Sequence, residues 1–390
     1  MKSRTGSLPF GGRSTFLSIL FLTLGWGGHW ARAQTGITIN PDSTQKGIKV
    51  LGVKLDTLLQ APNPDVDTQY IAVYYNYLHG NVVGESRDYF IRLAGRDDKL
   101  IYRPNGALAA GIGASYSWLS VELLPNYPTL HKRAEKGKTR QFGTSLNYNG
   151  RRFWFNANYR SFQGLYLNNP QAIDSKWFET HSTYPQRSDL RSQLLYNYLS
   201  YCFNYRRFSY PASLLQRERQ KQSAGSFLVG INFAFTQIKG DSVLFPSTVE
   251  PMPGQDPGAV RYRSLGYSVN AGYIQTIVLR KYFFVTALLR PGIALQKGSS
   301  ADREGNRRDL ATQAGLQGDA RLTVGYNDDQ YYGGIAYSVV LSSNHLAASN
   351  NLQSYYTYFR LVVGKRFAFK PKGVLQRIPG FRPAKSAKKG

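Results

Sequence analysis

Between Gln220 and Asp241 the chain reads QKQSAGSFLVGINFAFTQIKGD, and its bulky apolar residues fall on every second position. Phe227, Val229, Ile231, Phe233 and Phe235 share one parity, while Ser226, Leu228, Gly230, Asn232, Ala234 and Thr236 share the other. A strand sends alternate side chains to opposite faces. One face is therefore bulky and apolar, and the other mostly small or polar. Two surroundings suit that contrast, a half-buried soluble strand or a strand with lipid outside and a polar lumen inside. Recurrence decides between them. Phe153, Phe155, Ala157 and Tyr159 alternate with Arg152, Trp154, Asn156, Asn158 and Arg160. Leu316, Ala320, Leu322, Val324 and Tyr326 alternate with Gln317, Asp319, Arg321, Thr323 and Gly325. A soluble sandwich would bury its apolar faces together and has no need of so many long strands of one kind. The predicted fold is all-β, a transmembrane antiparallel up-and-down β-barrel of about twelve strands.

The alternation divides into strands near 70–79, 87–95, 106–124, 139–148, 151–167, 189–208, 224–239, 262–278, 282–297, 311–326, 330–345 and 354–369. Most exceed the roughly 9 to 11 residues that a tilted strand needs to cross a bilayer. Tight turns are predicted at Asn149-Gly150, around Arg280 and at Asn327-Asp328-Asp329. The alternate connections, 125–138, 168–188, 240–261 and 298–310, are longer. Short periplasmic turns and long outer loops are the habit of bacterial barrels. Two connections on the predicted periplasmic side break that parity, 96–105 and 209–223. Pro291 cannot donate to a ladder, so a bulge or kink is predicted at Pro291-Gly292.

Composition agrees with the strands and narrows the compartment. Tyr and Phe number 28 and 21 against two Met, an excess suited to strands and to membrane-interface girdles. Lys2, Arg4 and Arg13 precede the apolar run 16–24, and Ala31-Arg32-Ala33 forms a small-x-small site. Residues 1–33 therefore read as a cleavable secretory signal, too short to span as a helix. The formal charge of +26 becomes +22 once the four signal cations Lys2, Arg4, Arg13 and Arg32 are subtracted. Such a balance raises nucleic acid as a partner, yet no recognition-helix or zinc-finger pattern is present. Anionic lipid head groups, lipopolysaccharide included, or simple solvation account for the cations. Cys202 is the single cysteine and has no partner for an internal disulfide. Residues 34–69 are a polar, proline-containing periplasmic leader. Residues 370–390 form a basic tail, solvated or a docking arm for a periplasmic partner. The expected location is the outer membrane of a Gram-negative bacterium.

Several stretches resemble a known family. Tyr102-Arg103-Pro104-Asn105, Gly111 to Leu119, Phe208 to Ala212 and above all QKQSAGSFLVG at Gln220 to Gly230 are similar to an uncharacterised envelope family catalogued as domain of unknown function 4421. The resemblance covers residues 70–369 and implies a secreted, outer-membrane protein. It implies no reaction and no catalytic residue.

Searching for chemistry gives two constellations. No Walker loop, dinucleotide fingerprint, zinc spacing or nucleophile elbow occurs, and no cofactor or metal is expected. Ser342, Ser343 and His345 form a conceivable nucleophile and base at the outer rim, the basis of an alternative reading as a lipid hydrolase or acyltransferase. His79, His131 and His181 also map to the outer side. The second constellation is a set of charges predicted to face inward: Arg152, Arg160, Arg191, Asp319, Arg321, Arg360 and Glu122. They either pair across the lumen, with Trp154, Tyr356 and Tyr358 filling space, or line a narrow passage that prefers small anions. The expected function is non-enzymatic, structural or that of a narrow pore.

Overall fold

The computed structural model describes residues 49–50, 53–54, 66–74, 76–94, 98–106, 108–117, 119–124, 133–150, 152–213, 218–250, 256–342, 352–373 and 375. The signal, most of the leader and most of the basic tail lie outside them. Two compact units result, 1–55 and 56–390. In the first, β1 (Lys49–Val50) and β2 (Val53–Lys54) pair antiparallel. The second is the barrel. Among the described residues no helix is long and apolar enough to cross a membrane.

The wall is a closed antiparallel ring of twelve strands. In chain order they are β4 (Tyr77–Ala94), β6 (Leu108–Tyr116), β7 (Leu119–Leu124), β8 (Arg140–Asn149), β9 (Phe153–Leu167), β10 (Gln186–Cys202), β12 (Ala224–Lys239), β13 (Arg261–Leu279), β14 (Phe283–Ala301), β16 (Gln313–Asn327), β17 (Tyr331–Ser342) and β18 (Leu352–Ala368). β18 closes the ring on β4, from Leu352 opposite Leu93 to Ala368 opposite Tyr77. Three short strands complete the unit: β3 (Ile71–Val73), β5 (Lys99–Pro104) and β15 (Arg307–Asp309). A further short strand, β11 (Glu218–Gln220), pairs with β3.

The count agrees with the sequence, but the strands are grouped differently. Of the segment expected at 70–79, residues 71–73 form β3 outside the wall and only the end, from Tyr77, belongs to β4, which runs unbroken through Gly80, Asn81 and Gly84 into the segment expected at 87–95. The segment expected at 106–124 is instead two strands, β6 and β7, reversing at Ser117 with φ 52°. Ala94 and Lys99, which pair with each other, therefore lie at the end with the long connections. The turn between β13 and β14 has three residues, Arg280 to Tyr282, since Leu279 pairs with Phe283, and Arg280 and Lys281 make it in the left-handed region at φ 44° and 71°. It shares the inner end with the 117, 150 and 328 turns, and the long connections, apart from the one between β10 and β12, gather at the outer end.

The wall narrows toward that outer end. Low down, β4 pairs with β6, and β7 and β8 complete the way to β9. Higher up, β5 pairs with β4 on one side and with β9 on the other, Tyr102 facing Leu167. The hairpin of β7 and β8 is thus left out of the upper ring. The pairing of β10 with β9 shifts register between Arg187 and Arg191, the mark of a bulge or a like irregularity.

Pro291 does not produce the expected bulge. β14 is continuous, and Asn270 opposite Gly292 and Tyr273 opposite Leu289 keep one register across the lapse in pairing. The missing N–H is accommodated by close approach. A Cβ on Gly272 would collide with the Leu289 carbonyl, and one on Gly318 would lie 2.8 Å from that of Arg290.

Parity along the strands holds in space. Phe227 is 69% exposed, Val269 67%, Ile293 65% and Ile112 65%, and Phe153, Leu316, Leu361 and Val363 join them on the outer surface. A soluble chain rarely shows one contiguous apolar surface of this extent. Inside, two apolar clusters stand apart. The outer one joins Tyr89, Ile91, Phe162, Leu190, Ile238 and Tyr262 of the wall to Leu244, Phe245 and Val249 of the connection folded into the mouth. The inner one joins Trp154, Cys202, Leu228, Ile274 and Leu288 to Phe208 and Tyr210 of an insert that follows β10.

Candidate functional site: a chamber between two plugs

The insert forms the floor. Ser209 starts a short helix, α1 (Tyr210–Ser213), whose four residues are all buried, and β11 then returns beside β3. Gln220, from the block most specific to the family resemblance, ties these pieces together. It accepts from Ser209 N at 2.9 Å and donates to the Arg207 carbonyl at 2.6 Å. Asn327 Nδ2 donates to the Glu218 carbonyl at 2.7 Å, and Arg219 pairs with Asp329 at 3.0 Å. The Tyr210 ring stacks on Trp154 at 3.6 Å and 12°, and its hydroxyl lies 2.9 Å from that of Tyr198.

Above that floor and below the outer apolar cluster sits a cavity of about 110 Å³. Its walls carry charges in two groups. Arg360 of β18 donates to Glu122 of β7 and lies 3.5 Å from Glu85 of β4, whose other oxygen accepts from Tyr356 at 2.7 Å. Arg290 of β14 bonds Asp319 of β16 at 2.8 Å, donates to Ser200, and sits 4.8 Å from the Tyr198 ring centre. Arg321 donates to Ser338 Oγ at 2.8 Å and to the Tyr358 hydroxyl. Arg160 donates to the carbonyls of Thr144 and Tyr159, both at 3.0 Å, while its Nε has no hydrogen-bond partner among the described residues. Charges buried in this way persist only when paired and hydrogen-bonded. Three guanidinium groups and three carboxylates line the cavity, and Arg290, packed behind that lining against Asp319, adds the small positive excess.

Arg160, Asp319, Arg321, Arg360 and Glu122 thus line one cavity with Trp154, Tyr356 and Tyr358. Arg152 and Arg191, expected to face inward, do not. Arg152 is exposed at the inner rim, its Nη2 2.8 Å from Tyr205 Oη. Arg191 is exposed on the outer surface beside Gln163, because the inward parity of β10 belongs to Leu190, Ser192, Leu194 and Tyr196. His79 also departs from expectation. It is buried near the inner end of β4, since that strand does not break after it.

Sequence reasoning missed Glu85 and Arg290. Glu85 falls between Gly84 and the segment expected at 87–95, where the glycines read as a loop, and Arg290 stands beside Pro291, whose missing donor dominates the pattern there. An unbroken count from Tyr89 back through Val83 would have put Glu85 on the lumen side. Ser342 ends β17 at the outer end, opposite Gln317 and Ser354. Ser343, His345 and His131 lie outside the described residues, and His181 stacks on Trp177 at 3.9 Å in an outer connection. Among the described residues, no three His, Cys, Asp or Glu side chains gather as a metal site would need.

A family model described as Domain of unknown function (DUF4421) matches residues 65–367. No curated protein matches the chain in sequence. Solved structures similar to it include the attachment invasion locus protein Ail of Yersinia pestis, at 10% identity, covering 75% of this chain and 99% of that one with a TM-score of 0.22. The toluene transporter TodX of Pseudomonas putida gives 10%, 75%, 90% and 0.27 in the same order. The COG4313 outer membrane channel of Pseudomonas putida F1 gives 9%, 77%, 99% and 0.29. The barrel stands on its own strand pairings.

Proposed function

The chain belongs to the DUF4421 family, and from that premise we propose that it is an integral outer-membrane protein of a Gram-negative envelope whose lumen is closed at rest. The membrane part of this reading is supported by the apolar belt that encircles the wall from Ile112 through Phe227 and Ile293 to Val363. Only a closed barrel or a helix satisfies every backbone group within hydrocarbon. The short turns then face the periplasm and the long connections face outward. Closure is supported by one observation above the rest: Tyr210 of the insert is stacked on Trp154 of the wall, directly beneath the polar chamber. The role is structural, with no conduction in this state.

Purified full-length protein in a planar bilayer is expected to give no conductance steps. Regular steps from the wild-type chain would contradict closure. The arginine excess of the chamber supports a second reading, a narrow path for small anions once the insert has moved. Tyr210→Ala combined with Trp154→Ala is the variant that tests it. Anion-selective steps in that variant alone would favour the second reading, and silence in both proteins would favour the structural one.

A further inference from the structure

The strand registers bring five cations into one cross-strand row on the outer surface. Arg140 of β8 faces Gln163 of β9, Gln163 faces Arg191 of β10, and Arg191 faces Lys239 of β12. Lys239 faces Arg261 of β13, Arg261 faces Ala301 of β14, and Ala301 faces Arg307 of β15. Arg140, Arg191, Lys239 and Arg307 are exposed and Arg261 is half-buried. All share the parity of the apolar belt, because Phe235, Phe233 and Ile231 continue the outward row of Lys239 down β12. Only Arg307 has a carboxylate close by, Asp309 at 2.9 Å. Among the described residues no acid lies within ion-pair distance of the other four, and Arg261 Nε has no partner.

Like charges set directly opposite each other across a ladder destabilise it. Arg191 against Lys239, and Lys239 against Arg261, are two such pairs in succession. A merely solvated surface has no reason to keep them, and a bound anion removes the cost. Position says which anion. The row sits at the outer end of the belt, two residues beyond Gln237 and Arg263, so whatever meets it is held at the level where hydrocarbon gives way to head groups. Adjacent strands lie about 4.8 Å apart, which makes the row roughly 29 Å long. One phosphodiester would occupy a single gap between strands. A head group with two separated phosphates would engage Arg140 and Arg191 with one and Lys239 and Arg261 with the other.

We propose that this row, Arg140, Arg191, Lys239, Arg261 and Arg307, is a docking site for the bis-phosphorylated sugar head group of an outer-leaflet glycolipid. The inference rests on the outer-membrane reading above. Guanidinium and ammonium groups meet phosphate oxygens through charge-assisted hydrogen bonds, while the belt beneath takes the acyl chains.

The test compares the full-length barrel with the triple variant Arg191→Gln, Lys239→Gln, Arg261→Gln in lipid nanodiscs. Each is titrated with bis-phosphorylated lipid A, with the same glycolipid stripped of phosphate, and with phosphatidylglycerol. At about 1 kcal/mol per cation near an anionic surface, the triple variant is expected to bind the phosphorylated glycolipid on the order of a hundredfold more weakly. Wild type is expected to lose a similar factor with the dephosphorylated form. Equal binding by both proteins, or equal binding of both glycolipids, would overturn the proposal. Phosphatidylglycerol held as tightly as lipid A would overturn the choice of glycolipid. Should the triple variant insert poorly, Lys239→Gln alone is expected to weaken binding about fivefold, and no change would overturn the site. Failure of the membrane reading looks different: the wild-type chain would then enter neither nanodiscs nor vesicles of any composition.

Discussion

On the outer surface of β14, Leu289, Ile293 and Leu295 are each more than half exposed and have no polar partner to satisfy. On the inner surface of the same strand, Arg290 is 2% exposed and is fixed by Asp319, Ser200 and the Tyr198 ring. One strand thus serves two solvents. The outer side asks only that a residue be apolar, so its members are interchangeable. The inner side asks for a particular partner, because a charge in a closed lumen has no water to fall back on. Tolerance to substitution should therefore alternate along the strand.

The largest departure is expected where a paired lumen charge is left alone. Arg290→Met strands Asp319, and unfolding by denaturant in lipid vesicles should show a loss of about 3–5 kcal/mol. Adding Asp319→Leu should restore much of it, since replacing both members of a buried pair is often neutral. If the single variant were as stable as wild type, the contrast between faces would fail at its strongest point. Next in size is the reverse insult on the belt. Ile231→Arg should cost about 2–4 kcal/mol in vesicles, as a cation does near the middle of a bilayer. Ile231→Leu should cost less than about 1 kcal/mol in the same assay. Equal effects from the two would mean that water, and not hydrocarbon, wets that surface.

The smallest effect belongs to the inner turns, which neither face controls. Burial by itself would raise the Asp328 carboxyl, but the backbone N–H of Tyr331, the Tyr326 hydroxyl and the backbone N–H of Gln330 outweigh it and hold the group below its ordinary value. A depressed carboxyl contributes stability above its unfolded pKa and loses it as pH falls through the folded one. Asp328→Ala should therefore cost a little at neutral pH and nothing at strongly acidic pH. A penalty that persists in acid would remove the carboxylate from the explanation.

The regular half of the wall, β12 to β18, was legible because its strands are long, alternate cleanly and end in turns near Arg280 and Asn327. The stretch from β4 to β7 was not. Glycines at 80 and 84 look like breaks when they are strand residues, and the reversal at Ser117 carries no glycine or asparagine to announce it. Two such errors cancelled in the strand count. The candidate site divides along the same line. Arg160, Asp319, Arg321 and Arg360 lay on well-read strands, whereas Glu85 and the plug contributed by Tyr210 depend on pairings between residues far apart in the chain. The broken parity at 209–223 was the visible trace of that plug, since a plain periplasmic turn would have been shorter.

The central claim is that hydrocarbon covers one side of each strand while protein fills the other. Spin labels on single cysteines at Ile231 and Val269 outside and at Asn232 and Asn270 inside, in a Cys202→Ser background in lipid vesicles, test it directly. Labels at 231 and 269 are expected to be relaxed by dissolved oxygen and shielded from a water-soluble nickel chelate, with those at 232 and 270 shielded from both. Labels at 231 and 269 that the chelate reaches as readily as a loop residue would contradict the account.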